Sequence, residues 1–174
     1  DILKTREAMD IRLIANRVLE HPFAGQMIQQ CTDFELPFEI EQCGVPHRGI
    51  IDGIGSWFVL DLKTTNDVSH NALQRTIWSA KYYMQAAIYE RAACLLGYEP
   101  EAYFIIAVES SAPHHVQVVE LEPHYVARGH MEWEKLLEQW RAWDGKSRHN
   151  LDETDEAGWQ SDAPPWVPPM DLGL

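Results

Sequence analysis

Two aspartates and a lysine lie close together in a segment that is otherwise apolar and rich in β-branched residues. Asp52 is followed nine residues later by Asp61, and Lys63 stands two residues beyond Asp61. Magnesium prefers oxygen ligands and usually takes one or two carboxylates together with water and substrate phosphate. The two aspartates could therefore hold a divalent metal beside a phosphodiester, with the backbone carbonyl of Leu62 as a further ligand. These residues make a metal-dependent nuclease the leading hypothesis.

Lys63 has the chemistry to assist the reaction at such a metal. The metal would lower the pKa of a bound water and offset the charge that develops on the phosphate. The Lys63 side chain could orient or deprotonate the attacking water, or stabilise the pentacovalent state. The D-x-K spacing is weak evidence by itself, because a surface hairpin with solvated charges gives the same pattern. Support for an active site must therefore come from other parts of the sequence.

Two strands must bring these groups together. Residues 46–54 and 57–63 are rich in strand formers, and the glycines between them fit a tight connection at residues 53–56. This pattern predicts a β-hairpin. Because side chains alternate between the faces of a strand, Asp61 and Lys63 should share one face, and Leu62 should point into the core on the other.

A helix is predicted downstream of the hairpin, at residues 82–96. Alanine is abundant there, apolar residues recur at helical spacing, and Gly97 follows as a stop signal. Gln85 and Tyr89 are four residues apart and therefore lie on one face of this helix. An isolated pair of this kind is usually a rim residue and a core residue, so its meaning depends on the motif upstream.

Taken together, these residues resemble the PD-(D/E)XK nuclease superfamily in its RecB-like form. The strings LDLKTT and MQAAIY are most similar to the RecE group, the exonuclease VIII-like phage and prophage enzymes. The resemblance covers residues 35–107 and implies an α/β, restriction-endonuclease-like core with a mixed central β-sheet flanked by helices. It implies metal binding by Asp52 and Asp61, catalysis by Lys63, and support of the site or DNA contact by Gln85 and Tyr89.

Glu35 is a further catalytic candidate. The segment before the hairpin resembles the lead-in of this family, in which an acid opens the strand before the Asp hairpin. Glu35, Glu39 and Glu41 compete for that place. Glu35 is preferred for its spacing to Asp52 and its position before Pro37. A charged edge strand explains the same acids equally well.

The polar residues that follow the D-x-K motif offer another candidate contact with substrate. Residues 64–69 are predicted to form a loop beside the site. Thr64 and Thr65 could bind DNA or support the site from this loop, although a plain surface loop is an equally good interpretation.

The sequence departs from the family pattern in one respect. RecB-like nucleases usually carry a metal-binding histidine in a helix well upstream of the first aspartate. Here His21 is followed by Pro22, which favours a helix-end residue over a ligand, and His47 within the hairpin is a weak candidate. Since the sequence begins at Asp1 without a methionine, we expect the upstream helix, and any such histidine, to lie outside it.

The resemblance also implies an activity and partners. It suggests hydrolysis of double-stranded DNA from its ends with Mg²⁺, or alternatively Mn²⁺, as cofactor, which leaves single strands for recombination. It further suggests a ring-shaped homo-oligomer that cooperates with a single-strand annealing protein. The alternatives are an endonuclease or single-strand nuclease on the same core, and a catalytically silent DNA-binding or assembly module.

The net charge is the main argument against a DNA-binding protein. The chain carries 27 acidic and 14 basic residues, for a net charge of −13, whereas nucleic-acid-binding domains usually have a basic excess. Basic residues clustered near the site could bind DNA locally although the rest of the surface is acidic. The basic residues nearest the proposed site in sequence are Arg48, Lys63, Arg75, Lys81 and Arg91.

Length and composition predict a single domain, placed at residues 1–143, and a tail at residues 144–174 that contains proline and tryptophan and lacks periodicity. The resemblance implies that this domain is a nuclease domain. The three cysteines are scattered, which favours free thiols in a reducing compartment. Together with the resemblance, this implies the cytoplasm of a bacterial or phage-infected cell. No apolar run is long enough to span a membrane. The remaining predicted elements are helices at residues 2–20, 71–78 and 123–143, and strands at residues 34–42, 101–108 and 115–121.

Overall fold

The computed structural model of the protein describes residues 5–142, with side chains from residue 8 onward. The predicted tail at residues 144–174 lies outside the described residues, as do residues 1–4 and residue 143 of the domain predicted at 1–143. The elements are α1 (Thr5–Glu20), α2 (Pro22–Gln30), β1 (Cys31–Gln42), β2 (Val45–Gly55), β3 (Phe58–Thr65), α3 (His70–Ser79), α4 (Tyr82–Leu95), β4 (Ala102–Glu109), β5 (Val116–Leu121) and α5 (Pro123–Ala142).

The strands form one five-stranded sheet in the order β1-β2-β3-β4-β5. Neighbouring strands are antiparallel except β3 and β4, which are parallel. Parallel neighbours need a crossover connection, and α3 and α4 supply it. The predicted α/β fold with a mixed central sheet flanked by helices is confirmed.

The sheet separates two apolar layers, and this separation decides which way the candidate site faces. Alternation along β3 sends Val59 into the layer beneath α3, α4 and α5, and sends Phe58 and Leu60 into the layer that includes residues of α1 and α2. Asp61 and Lys63 have the same parity as Val59. Their side chains therefore lie on the α4 face, as the alternation predicted.

The prediction that Leu62 points into the core is wrong. Its side chain leaves the sheet on the face opposite Asp61, but it is 47% exposed. The layer on that face is built on Phe58 and Leu60, further back along β3. Nothing in the described part of the chain buries Leu62 at the end of the strand.

The two strands of the β2–β3 hairpin pair over fewer residues than the sequence pattern predicted. β2 continues to Gly55, so the turn falls at residues 56–57 rather than at residues 53–56. The two strands pair only through Gly53 with Leu60 and Ile54 with Val59. Beyond these pairs β2 follows β1 instead, and the edge of β3 next to Asp52 is left open.

Two further predictions need correction. The helix predicted at residues 2–20 matches α1, but a second helix, α2, follows at once and was not foreseen. Pro22 both ends α1 and occupies the first turn of α2, where a missing N–H costs nothing. The loop predicted at residues 64–69 begins later, because Thr64 and Thr65 continue β3 beside β4.

Two simpler expectations about the chain agree with the structure. All three cysteines are free. Among residues 5–142, no helix is long and apolar enough to cross a membrane.

Candidate active site

Asp61 is the centre of the candidate site. It lies in the middle of β3 and is 1% exposed. Its Oδ1 accepts a hydrogen bond from Lys63 Nζ at 2.8 Å and another from Gln85 Nε2 at 3.0 Å. Its Oδ2 lies 2.7 Å from the same Lys63 Nζ. A carboxylate this deeply buried needs such partners to stay ionised.

The environment of Asp61 fits a divalent cation. Burial raises the pKa of Asp61 to about 6, and the neighbouring charge of Asp52 adds to this, while the hydrogen bond and charge of Lys63 oppose it. Despite the ion pair, Oδ2 is buried without a well-directed hydrogen bond. A buried carboxylate oxygen without a directed hydrogen bond is unfavourable, and a hard cation would satisfy it.

Asp52 lies at the point where β2 leaves β3. Its Oδ2 accepts a hydrogen bond from the backbone N–H of Leu62 at 2.8 Å, in place of the strand pairing that has ended there. Ile51 and Ile54 both lie in the layer beneath α4, although residues three apart on a flat strand face opposite ways. The strand is therefore irregular between them, and Asp52, whose carboxylate meets the Leu62 N–H of β3, lies in this irregular stretch.

The donor set is therefore two carboxylates and the neighbouring backbone carbonyl of Leu62, all hard oxygen ligands. No group of three or more His, Cys, Asp or Glu side chains that could hold a metal occurs within residues 8–142. The predicted ligands Asp52, Asp61 and Leu62 are brought together around one open strand edge.

The helix pair predicted from sequence lies over the site, and its two members do different things. Gln85 binds Asp61 directly. Tyr89, one turn later, packs edge-on against Phe38 of β1 at 5.7 Å between ring centroids. Burial raises the pKa of the Tyr89 hydroxyl, and the charges of Asp61 and Asp52 raise it further. Gln85 thus binds the Asp61 carboxylate, while Tyr89 packs α4 against the antiparallel strand pair β1 and β2, here called the β1–β2 ribbon.

Sequence reasoning missed one site residue, Tyr82. The Nζ of Lys63 lies 5.0 Å from the centre of the Tyr82 ring. Tyr82 is the first residue of α4 and precedes Gln85 by three positions and Tyr89 by seven. This i, i+3, i+7 spacing places all three on one helix face, and it was the signal available in the sequence.

Glu35 is close to the site in the sheet but is not joined to it. It lies between Phe34 and Leu36, which pair with Gly53 and Ile51 on either side of Asp52. Its backbone is in the left-handed region, with φ of 48°, and its side chain is exposed. Within the described residues no hydrogen bond or ion pair links it to the aspartates, so its catalytic role stays a prediction.

The two threonines after the motif lie on opposite faces. Thr65 is on the face of Asp61 and Lys63, and its hydroxyl closes a turn with Asp67 through contacts of 3.4 and 3.5 Å. Thr64 is exposed on the face of Leu62. Thr65 therefore shapes the end of the strand, whereas Thr64 is free to meet a ligand.

The histidines considered as ligands have other partners. His21 is the N-cap of α2, where its Nδ1 accepts a hydrogen bond from the Ala24 N–H at 3.1 Å. This confirms the expectation of a helix-end residue. His47 Nε2 accepts a hydrogen bond from Trp133 Nε1 at 3.1 Å, so it ties the β1–β2 ribbon to α5.

The comparisons with known proteins agree with this geometry. The family of PDDEXK-like domains of unknown function (DUF3799) matches residues 3–150. A crystal structure from Eubacterium rectale, of a protein described as "Putative exonuclease", has a similar fold, with a TM-score of 0.65 at 14% identity over 98% of this chain and 67% of that chain. No curated protein matches the sequence. The chain belongs to the PDDEXK-like family and hence to the PD-(D/E)XK superfamily.

Proposed function

We propose that the protein is a metal-dependent deoxyribonuclease that hydrolyses phosphodiester bonds of double-stranded DNA from its ends. The observation that carries this proposal is the buried Asp61 carboxylate, which Lys63 and Gln85 hold beside Asp52 at an open strand edge. A solvated surface hairpin would not bury its aspartate to 1% exposure or leave one of its oxygens without a directed hydrogen bond.

The site residues would have two different roles in the reaction, metal binding and stabilisation of charge. Asp52 and Asp61, with the Leu62 carbonyl, would hold Mg²⁺ or Mn²⁺. A bound divalent cation would acidify water and neutralise charge on the scissile phosphate. The Lys63 side chain, 22% exposed, can reach both the carboxylate and an incoming phosphate. It would orient the attacking water and stabilise the negative charge of the transition state.

The finer points of the proposal rest on the sequence resemblance. The RecE-like strings favour end-dependent digestion that leaves single strands for recombination. The same resemblance favours a homo-oligomer, a single-strand annealing partner and a cytoplasmic location. The fold is shared with a structure described as an exonuclease, which is compatible with digestion from ends.

Digestion of linear and closed-circular double-stranded DNA tests the proposal. In the presence of Mg²⁺, the wild-type protein should degrade linear DNA and spare the circle. Lys63→Ala should reduce the rate by a factor of about 100 or more, the typical contribution of a positioned catalytic side chain. Lys135→Ala, at an exposed position on α5, is the matched control and should retain the wild-type rate.

Each alternative has its own outcome. Cutting of the circle would indicate an endonuclease, and digestion of single strands alone would indicate a single-strand nuclease. Binding of DNA and metal without cleavage, equally in wild type and Lys63→Ala, would indicate a silent module and would contradict the proposed activity.

A further inference from the structure

Two groups hold the Lys63 ammonium in this structure, and only one of them is the catalytic carboxylate. Lys63 Nζ lies 2.8 and 2.7 Å from the two oxygens of Asp61. On its other side it faces the Tyr82 ring, with 5.0 Å from Nζ to the ring centre. That distance is within the range at which an ammonium is attracted to an aromatic face.

A divalent cation on Asp61 would compete with the Lys63 ammonium for the same two oxygens. Both are positive, and unlike the cation, the ammonium is attached to a flexible four-carbon chain that can swing away. Charge repulsion at a few ångströms is substantial at a partly buried site. The ammonium must then leave at least one Asp61 oxygen, and the Tyr82 ring is the contact that it can keep.

The first turn of α4 is built to hold Tyr82 in place. Lys81, just before it, has φ of 54°, a left-handed conformation that is costly for a lysine and persists only when the surroundings enforce it. Lys81 Nζ lies 2.7 Å from Glu132 Oε2, and the Tyr83 hydroxyl donates to the same oxygen at 2.8 Å. The residues on both sides of Tyr82 are therefore fastened to α5 through one carboxylate.

We propose that Tyr82 is the positioning residue for Lys63. Its ring retains the ammonium beside the scissile phosphate once a divalent metal occupies the Asp61 carboxylate. This role rests on the proposed nuclease function. It requires the aromatic face and does not require the hydroxyl.

The contact can be measured without cleavage, by NMR of protein labelled at lysine ¹³Cε. The chain has only five lysines, so the Lys63 signal can be assigned from its loss in Lys63→Ala. Its ε-protons should be shifted upfield by the Tyr82 ring current. When Ca²⁺, used as a non-catalytic metal, is titrated in, the signal should change as the ammonium leaves an Asp61 oxygen, but it should stay shifted upfield. Tyr82→Phe should keep the shift, and Tyr82→Leu should abolish it.

Kinetics with Mg²⁺ supply the second readout. Tyr82→Leu should lower kcat about tenfold, within the strength of a cation–aromatic contact, with little change in KM. Tyr82→Phe should restore the wild-type kcat. Tyr98→Leu, which removes a tyrosine that instead donates a hydrogen bond to Asp33, is the control and should leave both constants unchanged.

The outcomes separate this inference from the proposed function. If the wild-type protein cleaves DNA but Tyr82→Leu retains its kcat, the role of Tyr82 is wrong and the nuclease assignment stands. If Tyr82→Phe is as impaired as Tyr82→Leu, the ring face is not the cause, which also overturns the inference. If the wild-type protein is inactive, the NMR titration still decides. A Lys63 signal that loses its upfield shift with Ca²⁺, or does not respond to Ca²⁺ at all, would contradict the proposal.

Discussion

At the scale of single residues, the burial of the Asp61 carboxylate lowers the stability of the fold but suits a metal-binding group. Removing a carboxylate from water is unfavourable, and the protein compensates with Lys63 and Gln85 rather than by exposing the group. The compensation is incomplete, since burial still raises the pKa of Asp61 from 3.8 to about 6. Such displaced pKa values are frequent at functional sites, and here the displacement coincides with the oxygen that lacks a directed hydrogen bond.

This pKa predicts how the stability of the metal-free protein changes with pH. Between pH 3.8 and about 6 the folded state binds a proton at Asp61 that the unfolded state has released. The free energy of unfolding should therefore fall as the pH rises through this window and level off above it. Asp61→Asn removes the titration, so its free energy of unfolding should rise relative to wild type by about 2 kcal/mol between pH 4 and 7.

Urea denaturation of both proteins in a chelator, at several pH values, measures this difference. Other titrating groups are common to the two proteins and cancel in the comparison. If the free energies of unfolding of wild type and Asp61→Asn change in parallel over this range, burial of Asp61 does not have the consequence assigned to it.

At the scale of elements, the site depends on how α4 is held against α5. Gly129 of α5 lies so close to α4 that a Cβ there would overlap the Tyr83 carbonyl. Beside this close approach, Glu132 binds Lys81, Arg128 and the Tyr83 hydroxyl. Although its burial works in the opposite direction, these hydrogen bonds lower the pKa of Glu132 to about 2. The helix that carries Gln85 is thus fixed at its first turn.

Glu132→Gln should weaken this junction. A carboxylate whose pKa falls from 4.5 to about 2 on folding stabilises the protein above pH 4.5, and this contribution is lost as the pH falls toward 2. At pH 7 the variant should lose about 2 kcal/mol of stability, a figure reduced for partial exposure of the partners. At pH 3, between the two pKa values, the difference from wild type should be clearly smaller than at pH 7. Glu138→Gln, at an exposed position on the same helix, is the control.

Thermal unfolding of the three proteins at pH 7 and pH 3 checks this prediction. An equal loss of stability at both pH values would show that Glu132 acts through packing and not through its charge. Activity provides a further check, because loosening the first turn of α4 should also lower kcat through Gln85 and Tyr82.

The elements differ in how well the sequence predicted them, for physical reasons. Helix α4 was evident because its alanines, its helical spacing and Gly97 all indicate the same structure. Helix α2 was missed because it has nine residues and begins at a proline that was interpreted only as a stop signal. The exposure of Leu62 could not be predicted, since it depends on where the covering layer ends, and alternation along a strand contains no such information.

The candidate site shows the same division. Asp52, Asp61 and Lys63 were predicted from their types and spacing and Gln85 from the family resemblance, and the structure places all four close together. The contact of Asp52 with the Leu62 N–H arises where two strands separate, and it appears in no local pattern. Tyr82 was overlooked because its contact with Lys63 joins a strand to a helix about 20 residues later in the chain.

At the scale of the whole molecule, the question is how a chain with a net charge of −13 binds a polyanion. The structure shows that not all of the basic residues near the site are available to contact DNA phosphates. Lys81 forms an ion pair with Glu132, so we expect it to contribute little to DNA binding. Arg75 is exposed on α3, directly after the loop that follows the site, and its positive charge acts on the nearby Asp67. Few phosphate contacts are therefore expected, and most of them close to Lys63.

Binding of a short DNA duplex in Ca²⁺ at increasing salt concentration tests this expectation. The logarithm of the association constant should fall with the logarithm of salt concentration with a shallow slope, since each phosphate contact contributes about −0.9. Arg75→Ala should weaken binding to all sequences alike and reduce the slope by about one contact. Arg141→Ala, at an exposed position near the end of α5, removes the same charge far along the chain from the site and should change neither quantity.

Equal effects of the two arginine substitutions would mean that DNA responds to the overall charge of the protein. In that case the acidic surface would oppose binding everywhere, and a single chain would be a poor DNA-binding protein. A difference confined to Arg75 would instead show that the acidic surface and the grip on DNA are spatially separate. Local basic groups can concentrate a polyanion at one edge of an acidic protein, and the open edge of β3 is where the cleavable phosphate would then lie.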